Sequence, residues 1–469
     1  MVTIDAGLDA QAGQSRIQRL YFAVWRWHFY AGLYVIPFLL MLASSGLIIL
    51  WVTAIAPEFG DRMAVTPGTA LTVTEQEAAV VAAVPGTVDK YVAPIDAEKP
   101  ALFRVQTEAG AVMVALDPYS GAVIHQRPEA GTWNDWATNL HGKLLTGTDQ
   151  GWADYLVETA ASLGMLMVFS GLWLAWPRGD EGFSAMFVPK LAAKGRAFWK
   201  STHRAVGSWI ALVLFFFLLS GLAWAGIWGG RLVQAWSSFP AEKWGAPLSD
   251  ATHADMNHTH VKEVPWTLEL TPLPASGSTV GVEILPPGTP VVLETVVALA
   301  RAIGFEGRVQ VTKPADETGV WTLSRDSMSY DSANPMDDRT VHVDQYTGKV
   351  LADVRFADYP ALGKAMAVGV ALHEGQTGLW NIVANFAFCL AVIFLCLGSL
   401  VMWWVRRPAK VGRLAAPPLP ADVPMSGWVL LALIVLSLAV PVLGITLVVL
   451  LALDLIVLRA LPPLKRLLS

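Results

Sequence analysis

Two of the nine histidines sit in the same local pattern: His28 stands four residues before Gly32 and eighteen before Gly46, and His203 stands four before Gly207 and eighteen before Gly221. The offset between the two sets is 175 residues throughout. Two further histidines, His141 in NLHGKLLTGTDQGW and His373 in ALHEGQTGLW, each precede an apolar run that closes on a Trp- and Arg-rich border, FSGLWLAWPR and LGSLVMWWVRRP. Histidines at matching depth on different helices suit bis-imidazole haem ligation, because the iron takes one ring nitrogen on each face of the porphyrin. The glycine one turn beyond His28 and His203 lets a flat macrocycle, or another helix, come close. Headgroup contact explains a single border histidine just as simply, but four at repeat-related positions favour haem. No C-x-x-C-H sequence is present, which excludes covalent c-type attachment. Two b haems are therefore expected, one between His28 and His203 near the cytoplasmic border and one between His141 and His373 near the outer border. Together they would form an electron path across the bilayer.

Such ligands need rigid helices, and the composition supplies membrane-spanning ones. Of 469 residues 54% are apolar and 15% charged, against roughly 25% charged in soluble domains. No Asp, Glu, Lys or Arg interrupts 27–57, 159–177, 205–230, 375–405 or 423–453, and each run reaches the ~18 residues that cross a bilayer core. The last run continues past Asp454 and has room for two short spans about a turn near Pro441 to Gly444. The expected fold is a mainly α integral membrane protein of about six transmembrane helices, a duplicated helix-domain-helix unit plus a C-terminal hairpin, with two external α+β modules. In residue ranges this gives an arm (1–27), a span (28–54), a module (55–150), a span (151–177), a loop (178–204) and a span (205–230). A second module (231–374), a span (375–405), a linker (406–425), the hairpin (426–460) and a tail (461–469) complete it.

Charge sets the orientation. The arm, the short loop, the linker and the C-terminal end carry 16 basic against 6 acidic residues, whereas the two large loops carry 17 basic against 32 acidic. By the positive-inside rule both ends face the cytoplasm and the large loops lie outside, in a periplasm if the source is a Gram-negative bacterium. The first apolar run exceeds a signal h-region in length, so an uncleaved anchor is expected despite the A-x-A pattern at Ala54 to Ala56. Within the modules, Thr74 to Val84 and Leu293 to Ile303 have helical character. Strands are expected at Leu102 to Val114, Val114 to Ile124, Val309 to Thr312, Val320 to Ser324 and Thr340 to Val354, the last broken at Tyr346-Thr347-Gly348.

Other constellations carry less. His253, His258 and His260, beside Asp250 and Asp255, form an external cluster of metal-binding types, though a solvated loop explains them as well. His342 and His125 decorate strands. Cys389 and Cys396 lie inside one apolar run, as packing thiols rather than a disulfide or metal pair. Asp454 is an intramembrane carboxylate near a cytoplasmic end, read as snorkelling toward water. Trp133, Trp136, Trp152 and Trp380 lie near the outer histidines, as interface anchors or as walls of a cleft. A net charge of −5 without a basic aromatic cluster excludes a nucleic-acid partner. No G-x-G-x-x-G or Walker loop is present, so electrons would come from quinol or a separate reductase.

On WRWH with its following glycine, on LHEGQTGLWN followed by MWWVRRP, and on VHVDQYTGKVLADVRFADYP, the chain resembles the PepSY-associated transmembrane helix family of bacterial inner-membrane proteins. The resemblance covers most of residues 16–408. It implies a siderophore-reductase-like membrane oxidoreductase that carries two b haems on His28, His203, His141 and His373 and reduces a ferric siderophore or other ferric chelate outside the membrane. Two other classes stay open: a non-enzymatic module that binds peptides or proteases, and a metal transporter using the external histidines. The second would call for ionisable residues mid-helix, which the apolar runs nearly lack.

Overall fold

The computed structural model describes residues 16–57, 59–60, 62–147, 151–257, 264–286, 288–407, 414–418, 427–453 and 456. In chain order the helices are α1 (Arg16–Leu50), α2 (Val73–Ala83), α3 (Trp133–Lys143), α4 (Trp152–Ala175) and α5 (Gly195–Gly221). They continue with α6 (Leu293–Ala302), α7 (Ala361–Glu374), α8 (Leu379–Arg406), α9 (Gly427–Ala439) and α10 (Pro441–Leu453), alongside shorter helical turns. The strands are β1 (Thr87–Val92), β2 (Ala101–Thr107), β3 (Gly110–Leu116), β4 (Val123–Pro128) and β5 (Leu248–Thr252). After them come β6 (Pro272–Pro274), β7 (Gln310–Thr312), β8 (Val320–Arg325), β9 (Arg339–Asp344) and β10 (Val350–Arg355). The chain divides into two compact units, Met1–Ser45 with His141–Leu232 and Ala387–Ser469, and Gly46–Leu140 with Val233–Phe386.

Four helical segments are long and apolar enough to cross a membrane: Arg16–Ile55, Trp152–Ala175, Gly195–Trp224 and Leu379–Arg406. The shortest, α4, has 24 residues and so spans about 36 Å at 1.5 Å per residue, more than a hydrocarbon core of about 30 Å. Among the described residues four spans reach that length, against the six expected. Pro441 opens α10 directly after α9, and each of the two has 13 residues, about 20 Å of helix. The apolar run is thus divided at Pro441. Asp454 lies outside the described residues.

The core of the first unit joins Val35 of α1, Leu163 and Val168 of α4, Ala211 and Leu218 of α5, and Val440 with Leu443 at the hairpin turn. Gly164 makes the α4–α5 approach possible, since a Cβ there would lie 3.1 Å from Leu218. Outward faces remain apolar, with Leu212 80% and Leu438 76% exposed, which is stable only against lipid. Glu158 and Asp154 of α4 are buried in this unit. Both Glu158 oxygens accept backbone N–H groups, from Ile227 at 3.1 Å and Trp228 at 3.0 Å, where the helix that began as α5 has broken. Those amides would otherwise be orphaned.

The second unit holds one eight-stranded antiparallel sheet in the order β10-β9-β8-β7-β1-β2-β3-β4. The two modules read from the sequence are therefore not separate sheets. β1 of the first pairs with β7 of the second, with Tyr91 opposite Val311, flanked by Ala93 N–H to Val309 O at 2.9 Å and Lys313 N–H to Asp89 O at 2.8 Å. Each module contributes a four-strand meander, and the antiparallel seam relates the two by an approximate two-fold axis. Helices α2 and α6 cover one face in a shared core, where Val80, Val296 and Leu299 meet Phe103, Val114, Val311, Leu323 and Val341. Hairpin turns repeat as well. Asp117 and Asp344 accept through Oδ1 from the N–H of Tyr119 and Tyr346, each at 2.9 Å, and the turns close on Gly121 and Gly348 with φ of 73° and 69°, a conformation glycine adopts without strain.

Candidate functional site

In the first unit a cavity of about 560 Å³ lies among α1, α4, α5 and α8, and both His28 and His203 line it. That volume is in the range of cofactor-sized pockets. Its walls are mostly apolar, including Val35, Leu39, Val168, Ala211 and Leu395, with Gly32, Gly171 and Gly207 among them. The glycines differ in function. A Cβ on Gly207 would meet nothing within 4 Å, whereas one on Gly171 would come 3.2 Å from His28 Cε1 and one on Gly32 would touch Met167 at 3.4 Å. Gly207 thus leaves open space beside His203, and Gly171 makes room for His28 itself.

Each imidazole is tied to the second helix of its own repeat. Nδ1 of His28 lies 2.9 Å from Ser170 Oγ on α4, and Nδ1 of His203 lies 3.2 Å from Ser399 Oγ on α8. At one end of the cavity four cations line it: Arg196, Lys200 and Arg204, four residues apart on α5, and Arg406 at the last turn of α8. Arg204 also donates to Glu181 at 2.8 Å. Neither serines nor cations were singled out from the sequence. The i, i+4, i+8 basic stripe was visible there, while a serine beside a glycine in an apolar helix carries no distinguishing mark.

His141 and His373 occupy short helices of their own, α3 and α7, ahead of the following spans. His141, in the first unit, has Nδ1 2.9 Å from Ser45 Oγ on α1. Burial holds its imidazole down to about 4, against a smaller upward pull from the Leu42 carbonyl, so it is neutral at pH 7. His373 lies in the second unit, on the last turn of α7. Asn385 of α8 donates to the carbonyls of Leu372 and His373, both at 2.9 Å, and Asn381 donates to Leu372 O at 2.9 Å. Gly375, at φ 81°, ends the helix. The segment HEGQTGLWNIVAN therefore encodes a fixed helix-to-helix corner, which sets where His373 stands.

The other histidines read differently in three dimensions. His253 is 1% exposed, with Nδ1 2.7 Å from Thr271 O and Nε2 2.9 Å from Nε2 of His342, whose Nδ1 lies 3.0 Å from Thr322 Oγ1. Burial drives both imidazoles toward the neutral form, His253 to about 4. His253 is thus built into the sheet unit's interior, while His258 and His260 of the expected external cluster lie outside the described residues. Among the described residues no three His, Cys, Asp or Glu gather to hold a metal ion. Asp255 caps its own helical turn through Thr252. Cys389 and Cys396 are buried free thiols, as expected of packing residues. Trp133, Trp152 and Trp380 are 61%, 65% and 63% exposed.

No curated protein matches this chain. The family model described as the PepSY-associated TM region matches residues 25–406. That interval begins just before His28, ends at Arg406 beside the cavity, and takes in all four spans' apolar cores and the whole eight-stranded sheet. The chain therefore belongs to the PepSY-associated transmembrane-region family.

Proposed function

We propose that this protein is a b-type dihaem oxidoreductase of the bacterial inner membrane, which relays electrons outward to reduce a ferric complex, a ferric siderophore above all. The observation that carries the reading is that His28 and His203, 175 residues apart and repeat-related, line one apolar cavity of about 560 Å³. The residues present fit haem b. Two imidazoles would hold its iron, the free space beside Gly207 would admit a flat ring, and the four cations among the lining residues would offer counter-charges for propionates. Haem, when bound, supplies a one-electron Fe(III)/Fe(II) couple. His28 and His203 would hold the inner group, and His141 and His373, repeat-related in the sequence, are the ligand candidates for a second. The apolar walls exclude water, and no side-chain nucleophile is required.

The acidic loops that contain the sheet unit face outward in this reading, by charge bias, and the basic short segments face the cytoplasm. One electron converts a ferric chelate to its ferrous form, which hard oxygen donors hold far less tightly, so the metal leaves. Quinol or a separate reductase is the electron source. The test is an optical spectrum of the detergent-purified protein, oxidised and dithionite-reduced, with a pyridine haemochrome assay. A low-spin b-type spectrum at about two haems per chain is expected. Colourless protein from haem-replete cells would sink the reading and favour a non-enzymatic binding module.

A further inference from the structure

Three of the four repeat-related histidines share one arrangement that histidine placement alone does not require. His28, His203 and His141 each direct Nδ1 at a serine hydroxyl on a neighbouring helix: Ser170 at 2.9 Å, Ser399 at 3.2 Å and Ser45 at 2.9 Å. A hydroxyl has one proton to give. In each case a backbone carbonyl one turn back receives it. Ser45 donates to Met41 O and Ser399 to Leu395 O, both at 2.7 Å, and Ser170 to Met167 O at 3.3 Å. Carbonyl oxygens only accept, and two acceptors at 2.7 Å without a proton between them repel. At Ser45 and Ser399 the serine oxygen is therefore left as an acceptor toward the ring, which puts the imidazole proton of His141 and His203 on Nδ1, and Ser170, with its longer contact to Met167 O, has the same arrangement beside His28.

We propose that Ser170, Ser399 and Ser45 are positioning residues that lock His28, His203 and His141 in the Nδ1–H tautomer and present the Nε2 lone pair as the metal-binding atom. The inference rests on the haem reading and specifies which ring nitrogen binds and what sets it. A serine that accepts from Nδ1–H also fixes ring rotation and makes Nε2 a stronger donor, the usual work of a partner behind a metal-binding histidine. At Ser45 and Ser399 the i−4 carbonyl keeps the hydroxyl from turning round, so the direction of the chain, ring to serine to backbone, is built into the helix, and at Ser170 the i−3 carbonyl of Met167 stands in the same place. The same device on both halves of the duplicated sequence, Ser170 beside Gly171 and Ser399 beside Gly398, places it in the repeat rather than in one site.

The test replaces each serine by alanine and by threonine in the full chain. Haem per chain, the midpoint potential of each haem and the low-spin EPR signal are read. Each alanine variant is expected to weaken haem retention on the order of tenfold or more and to raise the potential of one haem, because a less electron-rich imidazole favours ferric iron less. Ser170→Ala and Ser399→Ala should move the same haem and Ser45→Ala the other, and Ser→Thr should restore wild-type values. Alanine variants with wild-type haem content, potentials and EPR would overturn the proposal while leaving the haem reading intact. Wild-type protein without haem would overturn that reading instead. In that event ¹⁵N spectra of histidine-labelled protein still report the tautomer, with Nε2–H at His203 the contrary result. A variant that fails to fold is replaced by its threonine counterpart combined with the remaining alanines.

Discussion

Gly207 stands one turn beyond His203 and faces the cavity with nothing within 4 Å of where a side chain would begin. A leucine there projects into space that the protein itself does not use, so the helix should fold unchanged while the cavity closes. Gly207→Leu is expected to keep normal expression and thermal unfolding but to bind about one haem where the wild type binds about two, measured by pyridine haemochrome. Two haems in that variant would separate the cavity from haem binding. His28 and His203 were legible in the sequence as a pair because duplication repeated their spacing to a neighbouring glycine. The serines behind them were not, because serine in an apolar helix commonly bonds to the i−4 carbonyl and only the tertiary approach of another helix gives its oxygen a second partner. His253 misled for the complementary reason: its neighbours in sequence, His258 and His260, suggested a cluster, but its ring partner is His342, 89 residues away.

Among elements, the seam between β1 and β7 is where pattern reading stopped short. β2, β3, β8, β9 and β10 alternate clearly enough to be anticipated with their turns. β1, in the segment TVDKYV, does not: its register against β2 shifts between Val88 and Lys90, and such a bulge breaks strict alternation. Lys90 is buried, and Asp89 bonds Arg104 at 2.5 Å, so charged residues sit where an apolar face would be looked for. The seam is central, with pairing on both sides of each strand. A proline there loses a ladder hydrogen bond and strains the strand. Val311→Pro is expected to destabilise the sheet unit by about 3 kcal/mol, seen as earlier thermal unfolding and faster proteolysis between α2 and β10. A variant as stable as wild type would mean the two meanders hold independently.

At the level of the whole molecule, the charge distribution makes a prediction that geometry alone does not. Basic residues exceed acidic ones 16 to 6 in the arm, short loop, linker and C-terminal end, and the ratio reverses to 17 against 32 in the large loops. Both native cysteines are buried, so introduced thiols can be read against a quiet background. A cysteine replacing Glu108, on the β2–β3 turn, should react with a membrane-impermeant maleimide in cells with a permeabilised outer membrane. One replacing Lys194, ahead of α5, should react only after lysis. The reverse pattern would invert the topology and turn the proposed electron path inward.

Sequence by itself determined what depends on neighbours along the chain: the four apolar spans, the duplicated histidine–glycine spacing, and most strands and turns of the sheet. Length, hydrophobic period and turn chemistry are local properties, and each is written within a dozen or so residues. Tertiary structure decided what depends on approach between distant segments. It placed His28 and His203 on one cavity, gave three imidazoles their serine partners, joined two meanders through Tyr91 and Val311, and turned His253 toward His342. These pairings join residues 89 to 220 positions apart, or two helices of different repeats, and no local period records which of many equivalent partners a folded chain will bring into contact.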